Sequence, residues 1–333
     1  MIVTENQLQT TKNSPKPKPH LLVLVGPTAV GKTKLSIAIA KAYGCEIISG
    51  DSMQIYQGMD IGTAKITREE MGGIPHHLID IHNPDYPFSV AEFQREAQQV
   101  IIDIANRGKL PFLVGGTGLY VESLCYGFSF TDGGVDEQLR QDMRQLLDTF
   151  GEQALHNKLR EIDPFTAERL HPNDHRRVIR AIEIAHLTGK TMSEQLASEK
   201  KESPYTLCLI GLTMDRQVLY NRIEARIDLM MEQGLVQEVH ALLERGFDSQ
   251  HTSMQGLGYK EIASAIQGRI SMDEAVRLIK QNTRRFAKRQ LSWFRRMKDI
   301  HWINVDQFSN DDDLFANIHS IVAGKFAPER EYI

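Results

Sequence analysis

The chain has 333 residues, a length that suits about two domains. It is 41% apolar, with 39 Lys and Arg against 43 Asp and Glu, a net charge of −4 and a pI near 6.3. This balance does not mark a general nucleic-acid binder. No run approaches the ~20 apolar residues of a membrane span, so no membrane association is expected. Cys45, Cys125 and Cys208 are odd in number and far apart, which excludes a disulfide framework or a zinc site and leaves core packing.

Residues 1–19 are polar, proline-rich toward Pro19, and lack an apolar signal core. They are expected as a disordered tail on a cytoplasmic protein. The apolar run 21–25 (LLVLV) then reads as a strand. It leads into Gly26-Pro27-Thr28-Ala29-Val30-Gly31-Lys32-Thr33, the G-x-x-x-x-G-K-T phosphate-binding loop. Its glycines let successive backbone N–H groups turn toward anionic oxygens, and the helix that follows adds its positive end. Lys32 supplies a full charge, and the Thr33 hydroxyl is placed to ligate Mg²⁺. Leu35, Ile39 and Ala42, with Ala38, give that helix its apolar spacing.

A second strand is expected over 46–49, ending in Gly50-Asp51-Ser52, and a third over 110–114, ending in Gly115-Gly116-Thr117-Gly118. Between them a helix is predicted over Val90–Asn106, capped by Ser89, with Gly108 beyond its end. The third strand closes without an acid, which argues against a motor or switch ATPase, since those need a strand-end Asp for Mg²⁺. The second strand does close on a carboxylate. In a doubly wound sheet the carboxyl ends of strands face the ligand crevice. Asp51 therefore belongs beside the phosphate loop, as a general base or a water-mediated Mg²⁺ partner, and Thr117 faces the same crevice. The adjacent His76 and His77 point to opposite faces of an extended segment and are given a structural role, not a metal site.

From 135 to about 199 the periodicity is helical, with no strand candidate. A strand returns at 207–212, a long helix follows over about 216–233, and a last strand is expected over 301–305. Between Lys280 and Lys298 stand eight Lys or Arg and no acid, interleaved with Phe286, Trp293 and Phe294. That run suits either a phosphate-facing surface or a helix packed on the core. The acidic 311–313 run is expected as a solvated loop. The fold class implied is α/β, a P-loop doubly wound parallel sheet with a helical insertion domain. Its catalytic core would span 20–126 and 203–310, the insertion 127–202, and a C-terminal tail 311–333. Chemically the residues describe a transferase acting on a phosphorylated donor, and a small-molecule or nucleotide kinase fits nearly as well.

The ordered set of motifs breaks this tie. Residues 51–65 (DSMQIYQGMDIGTAK) resemble the signature of the tRNA dimethylallyltransferases, also called tRNA isopentenyltransferases. So do GPTAVGKT at 26–33, GIPHHLID at 73–80, LVGGTGLY at 113–120 and HPNDHRRVIRAIE at 171–183. MQGLGYKE at 254–261 and TRRFAKRQLSWFR at 283–295 complete a match over about 20–305. The resemblance implies a P-loop core whose helical insertion binds tRNA. The reaction it implies moves a dimethylallyl group from dimethylallyl diphosphate to N6 of the adenosine 3′ of the anticodon, position 37, in tRNAs reading codons that begin with U. The partners it implies are the tRNA anticodon stem-loop and dimethylallyl diphosphate, with Mg²⁺ as cofactor, and the chain is expected to act as a monomer.

The same resemblance gives the loop Gly26 to Thr33 to the diphosphate, with Thr33 toward the metal. It makes Asp51 the general base, has Thr117 orient the target base, and lets Arg226, one helical turn from Arg222, complete the diphosphate clamp. Contacts to tRNA fall on Asp51, Ser52, Met53 and Gln54, on Thr117, on Arg176, Arg177, Val178, Ile179 and Arg180, and on Gln255, Gly256, Leu257, Gly258, Tyr259 and Lys260. Arg140 joins them, in a stretch whose loop length departs from the family pattern. The family's eukaryotic members often carry a C-terminal zinc finger, for which no cysteine follows Cys208. The target adenine must leave the anticodon-loop stack, so a channel is expected.

Overall fold

A computed structural model describes residues 18–130, 134–198 and 202–326. Residues 1–17, most of the expected N-terminal tail, lie outside the described residues, as do 327–333. The chain divides into two compact units, Tyr126–Glu202 and the sequence on either side of it.

In the larger unit, elements alternate as β1 (His20–Val25), α1 (Lys32–Tyr43), β2 (Cys45–Gly50), β3 (His76–His77), α2 (Val90–Asn106), β4 (Leu110–Gly115) and α3 (Gly118–Tyr126). The smaller unit holds α4 (Glu137–Ile162), α5 (Pro164–Arg169), α6 (His175–Thr188) and α7 (Met192–Ser198). The larger unit resumes with β5 (Thr206–Thr213), α8 (Arg216–Glu232), α9 (Leu235–Glu244), α10 (Tyr259–Ile266), α11 (Met272–Phe294), β6 (Ile300–Asn304) and α12 (Asp311–Phe326). The six strands form one all-parallel sheet in the order β3-β2-β4-β1-β5-β6. This is the doubly wound α/β architecture that the alternation predicts.

β1 lies at the centre, paired with β4 on one side and β5 on the other, and Leu21 to Val25 are all fully buried. An uninterrupted apolar run is what a strand covered on both faces requires. Each such side chain contributes about 1.5–3 kcal/mol relative to exposure. α2 starts at Ser89, whose hydroxyl accepts from Glu92 N (3.2 Å) while Glu92 Oε2 accepts from Ser89 N (2.9 Å). This reciprocal cap fixes the start of the helix, and Phe93, Ala97, Ile101 and Ile104 bury its inner face.

Three expectations need correction. The buried stripe of α1 is Leu35, Ile39, Ala40 and Tyr43, while Ala38 and Ala42 face outward. Ala is too small to show which face a helix buries, and Tyr43 lies eight residues after Leu35 on the inner one. A sixth, two-residue strand at His76 and His77 joins the sheet edge. The segment from 311 is no tail: 311–313 forms the acidic first turn of α12, whose Leu314, Ile318, Val322 and Phe326 pack inward. Asp residues suit a helix N-terminus through the dipole, so the acidic run marks a start and not a loop.

Within the smaller unit, Gly151 (φ 80°, ψ 175°) interrupts α4, a conformation that glycine adopts without strain. Leu155, Leu159, Ala167, Val178, Ala181 and Ile182 form its core. The Asp163 carboxylate caps α5 by accepting from Thr166 N (3.0 Å) and also takes Ser193 N (3.0 Å). Glu183, fully buried, accepts from Arg140 Nε (2.8 Å), from Asp136 N (3.0 Å) and from Arg180. Burial alone would raise its pKa, but the two arginines more than reverse this and hold it below the usual carboxylate range.

Candidate active site

A cleft of about 810 Å³ opens at the carboxyl ends of β1, β2 and β4, and its walls come wholly from the larger unit. Thr28, Ala29, Gly31, Lys32 and Thr33 line it, while Gly26, Pro27 and Val30 lie behind that surface. Gly26 sits at φ 153°, where a Cβ would come within 2.8 Å of Leu212 O on β5, so only glycine lets the loop leave β1 there. Gly31 (φ 108°) starts α1, aiming the helix N-terminus into the cleft.

Lys32 Nζ is held by Gly26 O (2.9 Å) and Pro27 O (2.8 Å). Burial lowers its pKa, Asp51 raises it and Arg226 lowers it again, for a net fall to about 8. Arg226 is itself lowered, chiefly by burial and then by Arg222 beside it. Arg222 reaches over the loop: its Nη2 lies 3.8 Å from where a Cβ of Gly31 would be. Neither arginine forms an ion pair with a described carboxylate, although Arg222 could have been spent in a surface salt bridge. Three cations gathered in one cleft, two of them partly buried, make a site suited to a multiply charged anion.

Asp51 faces this cluster. Burial raises its pKa, and the Met53 N–H on its Oδ1 (2.8 Å) and the charge of Lys32 only partly pull it back. It therefore stands above the usual carboxylate range, as suits a group that takes a proton. Thr117 is tied to the same turn: its Oγ1 accepts from Ser52 N (3.1 Å) and donates to Ser52 Oγ (3.3 Å). The glycines before it allow β4 to crowd β2, since a Cβ on Gly115 would lie 2.4 Å from Gly50 O.

The 51–65 loop is fixed from both ends. Gln54 spends its amide inside the protein, on Thr63 O (3.3 Å) and Ala64 O (3.4 Å). Glu238 on α9 accepts from Asp60 N (2.9 Å), Ile61 N (2.8 Å) and Gly62 N (3.1 Å), and from Tyr259 OH (2.6 Å). Tyr259 is 1% exposed and lies against Gly62, where a Cβ would come within 2.5 Å of its ring. The expected tRNA contacts Gln54 and Tyr259 thus form cleft wall. Gln255, Gly256, Leu257, Gly258 and Lys260 also line the cleft.

α11 supplies both functions weighed for its basic stretch. Ala275, Ile279, Ala287 and Phe294 pack inward, Thr283, Phe286 and Arg289 line the cleft, and Arg285, Lys288, Arg295 and Arg296 stay exposed. Gln290, 5% exposed, accepts from Thr28 N (2.9 Å) and donates to Gly116 O (2.9 Å).

The remaining expected contacts lie in the smaller unit. Arg176 and Arg177 are exposed, whereas Val178 and Ile179 are in its core, so their side chains cannot serve as contacts. Arg140 and Arg180 hold Glu183. Sequence reasoning missed Glu238 and Gln290. Each is an ordinary helical residue whose partners lie far along the chain, so no local spacing signals it. His77 pairs through Nε2 with Glu46 (2.9 Å), and no metal-binding cluster of His, Cys, Asp or Glu occurs among the described residues.

Comparisons with known proteins bear on what this cleft handles. Residues 54–297 match the family described as IPP transferase, and residues 19–82 match isopentenyl transferase. The tRNA dimethylallyltransferase of Bacillus licheniformis is 51% identical over 310 residues, 93% of this chain and 98% of that protein. Its counterpart in Bacillus cereus strain AH187 is 53% identical over 304 residues, covering 91% and 94%. The crystal structure of a full-length tRNA isopentenylpyrophosphate transferase from Bacillus halodurans is 50% identical, with a TM-score of 0.71 over 92% of this chain and 97% of that one. A eukaryotic dimethylallyltransferase, captured acting on tRNA, is 28% identical, with a TM-score of 0.78 over 94% and 81%.

Proposed function

The chain belongs to the IPP transferase family, and from that membership and the cleft we infer the following reaction. It is a tRNA prenyltransferase that moves a dimethylallyl group from dimethylallyl diphosphate to N6 of adenosine 37 in tRNAs reading codons that begin with U, giving N6-(dimethylallyl)adenosine. The carrying observation is one carboxylate, Asp51, with a raised pKa, in the same cleft as Lys32, Arg222 and Arg226, none of which is ion-paired to a described carboxylate. A kinase reading has no such support in the relatives, and β4 ends on glycines without the acid it would want.

The roles follow. The loop Gly26 to Thr33 holds the diphosphate, with Lys32, Arg222 and Arg226 spreading its charge. Asp51 takes a proton from the adenine amino group as the nitrogen attacks C1 of the allyl group. The C1–O bond breaks and its electron pair leaves with the diphosphate. The amine's lone pair is delocalised into the ring, so a positioned base is needed. Thr117 and Ser52 orient the base. Thr33 lines the cleft beside Lys32, and its hydroxyl would hold Mg²⁺ together with the diphosphate, because this ion keeps several waters and needs no cage of carboxylates. When bound it would offset charge on the leaving group. Exposed Arg176 and Arg177, and the exposed cations of α11, are the tRNA phosphate contacts. The protein acts as a cytoplasmic monomer. No described helix is long and apolar enough to cross a membrane.

Incubation with radiolabelled dimethylallyl diphosphate, Mg²⁺ and an unmodified tRNA transcript should label the RNA at A37. ATP consumption without labelled RNA would sink this reading.

A further inference from the structure

Gln290 lies on α11 among the cationic residues assigned to RNA, and the motif that contains it gives it no role. It is the one polar residue among those α11 buries. Its amide orientation is fixed by its partners, because Thr28 N–H can only donate and Gly116 C=O can only accept. One side chain thus bonds two loops 262 and 174 residues away in sequence. Thr28 belongs to the phosphate loop. Gly116 precedes Thr117, whose hydroxyl takes the N–H of Ser52, the residue after Asp51. A continuous path of bonds therefore runs from the donor loop through Gln290 to the turn of the general base. Gly116 is shaped for it: a Cβ there would lie 2.3 Å from Gln290 Nε2.

We propose that Gln290 is a positioning residue that sets the separation of the diphosphate loop from the acceptor turn. This rests on the reading that the first loop holds the prenyl diphosphate and the second the adenine. Neither loop has another side chain bridging it to the other among the described hydrogen bonds. In-line displacement tolerates little error, and a shift of about 1 Å can cost roughly 100-fold in rate.

The test is single-turnover transfer of labelled dimethylallyl diphosphate to unmodified tRNA. Gln290→Leu removes both bonds and should lower the transfer rate about 10- to 100-fold, with the KM of each substrate changed less than about threefold. Gln290→Glu separates position from packing. Its neutral acid form can still donate to Gly116 O and accept from Thr28 N–H, whereas the ionised form sets a negative charge against the carbonyl. Burial raises the pKa of such a group. The variant-to-parent rate ratio should therefore be highest in acid and fall about tenfold as rising pH ionises the new carboxyl. Gly116→Ala should reproduce the Gln290→Leu loss, and the double variant should be no worse than either single one.

A flat rate ratio for Gln290→Glu overturns the proposal. So does a Gln290→Leu loss no larger than its loss of folded protein by thermal unfolding. If Gln290→Leu does not fold, the Gln290→Glu profile decides alone. Failure of the parent itself to label tRNA would count against the assigned reaction instead, so the two failures are distinct.

Discussion

The two ends of β2 carry two carboxylates that the protein treats in opposite ways. Glu46, near the start of the strand, is 2% exposed and meets Arg107, Lys109 (2.8 Å) and His77 (2.9 Å). The Arg107 hydrogen bond, helped by the other two, outweighs burial and drives the carboxyl far below its ordinary range. Asp51, just past the strand's end, shares its cleft with Lys32, Arg222 and Arg226, but none is within ion-pair distance and its pKa is raised. At one end the charges satisfy one another and the result is a fastener. At the other they are held apart, and the unspent field is available to a diphosphate and a proton.

Substitutions can break this contrast. Asp51→Ala should cut the transfer rate roughly 100-fold or more, the usual scale for a positioned base, while tRNA binding weakens less and thermal stability holds or rises. A fall in stability with little loss of rate would make Asp51 a second fastener. Glu46→Gln should do the reverse. It should cost about 2 kcal/mol by denaturant titration, the scale of hydrogen bonds to charged groups with partly exposed partners, with unchanged rate per folded molecule. The sign with pH is fixed by the depressed pKa. The Glu46 contribution is full above the unfolded-chain value of about 4.3 and is lost as pH falls toward the folded one, so parent and variant should converge in acid.

The smallest effect lies in pH dependence. Lys32 is charged below about 8 and neutral above, so the KM for the prenyl diphosphate should rise as pH passes 8, by about tenfold per charge lost. Lys32→Arg should flatten that limb, while the acidic limb, set by the raised Asp51, remains. A KM that stays level through pH 9 in the parent would remove Lys32 from the donor site.

Much of this was legible in sequence because the signals are local. The apolar run before GPTAVGKT, the Ser89–Glu92 cap and the acid closing the strand before Ser52 each concern a few adjacent residues, and each element stands where they put it. What escaped depends on distance along the chain. Glu238 gathers three amides about 177 residues earlier, and Gln290 joins two loops from a helix whose composition left phosphate contact and core packing both open. Val178 and Ile179 show the converse. They sit inside a motif rich in arginine, yet their apolar side chains follow the helical period into the core. Arg222 stays exposed on α8 yet reaches the phosphate loop, a contact between segments far apart along the chain.

The sheet order has a consequence for the growing chain on the ribosome. β1 is synthesised first, and its partner β4 follows within the same stretch, but β5 emerges only after the whole 126–202 unit has been made. Until then β1 offers an open edge, the kind of surface that captures other strands. The phosphate loop is unfinished as well, since Gly26 is shaped against Leu212 of β5. Nascent chains arrested before Thr206 should therefore carry the whole GPTAVGKT sequence yet fail to retain diphosphate, and they should be the species that chaperones hold.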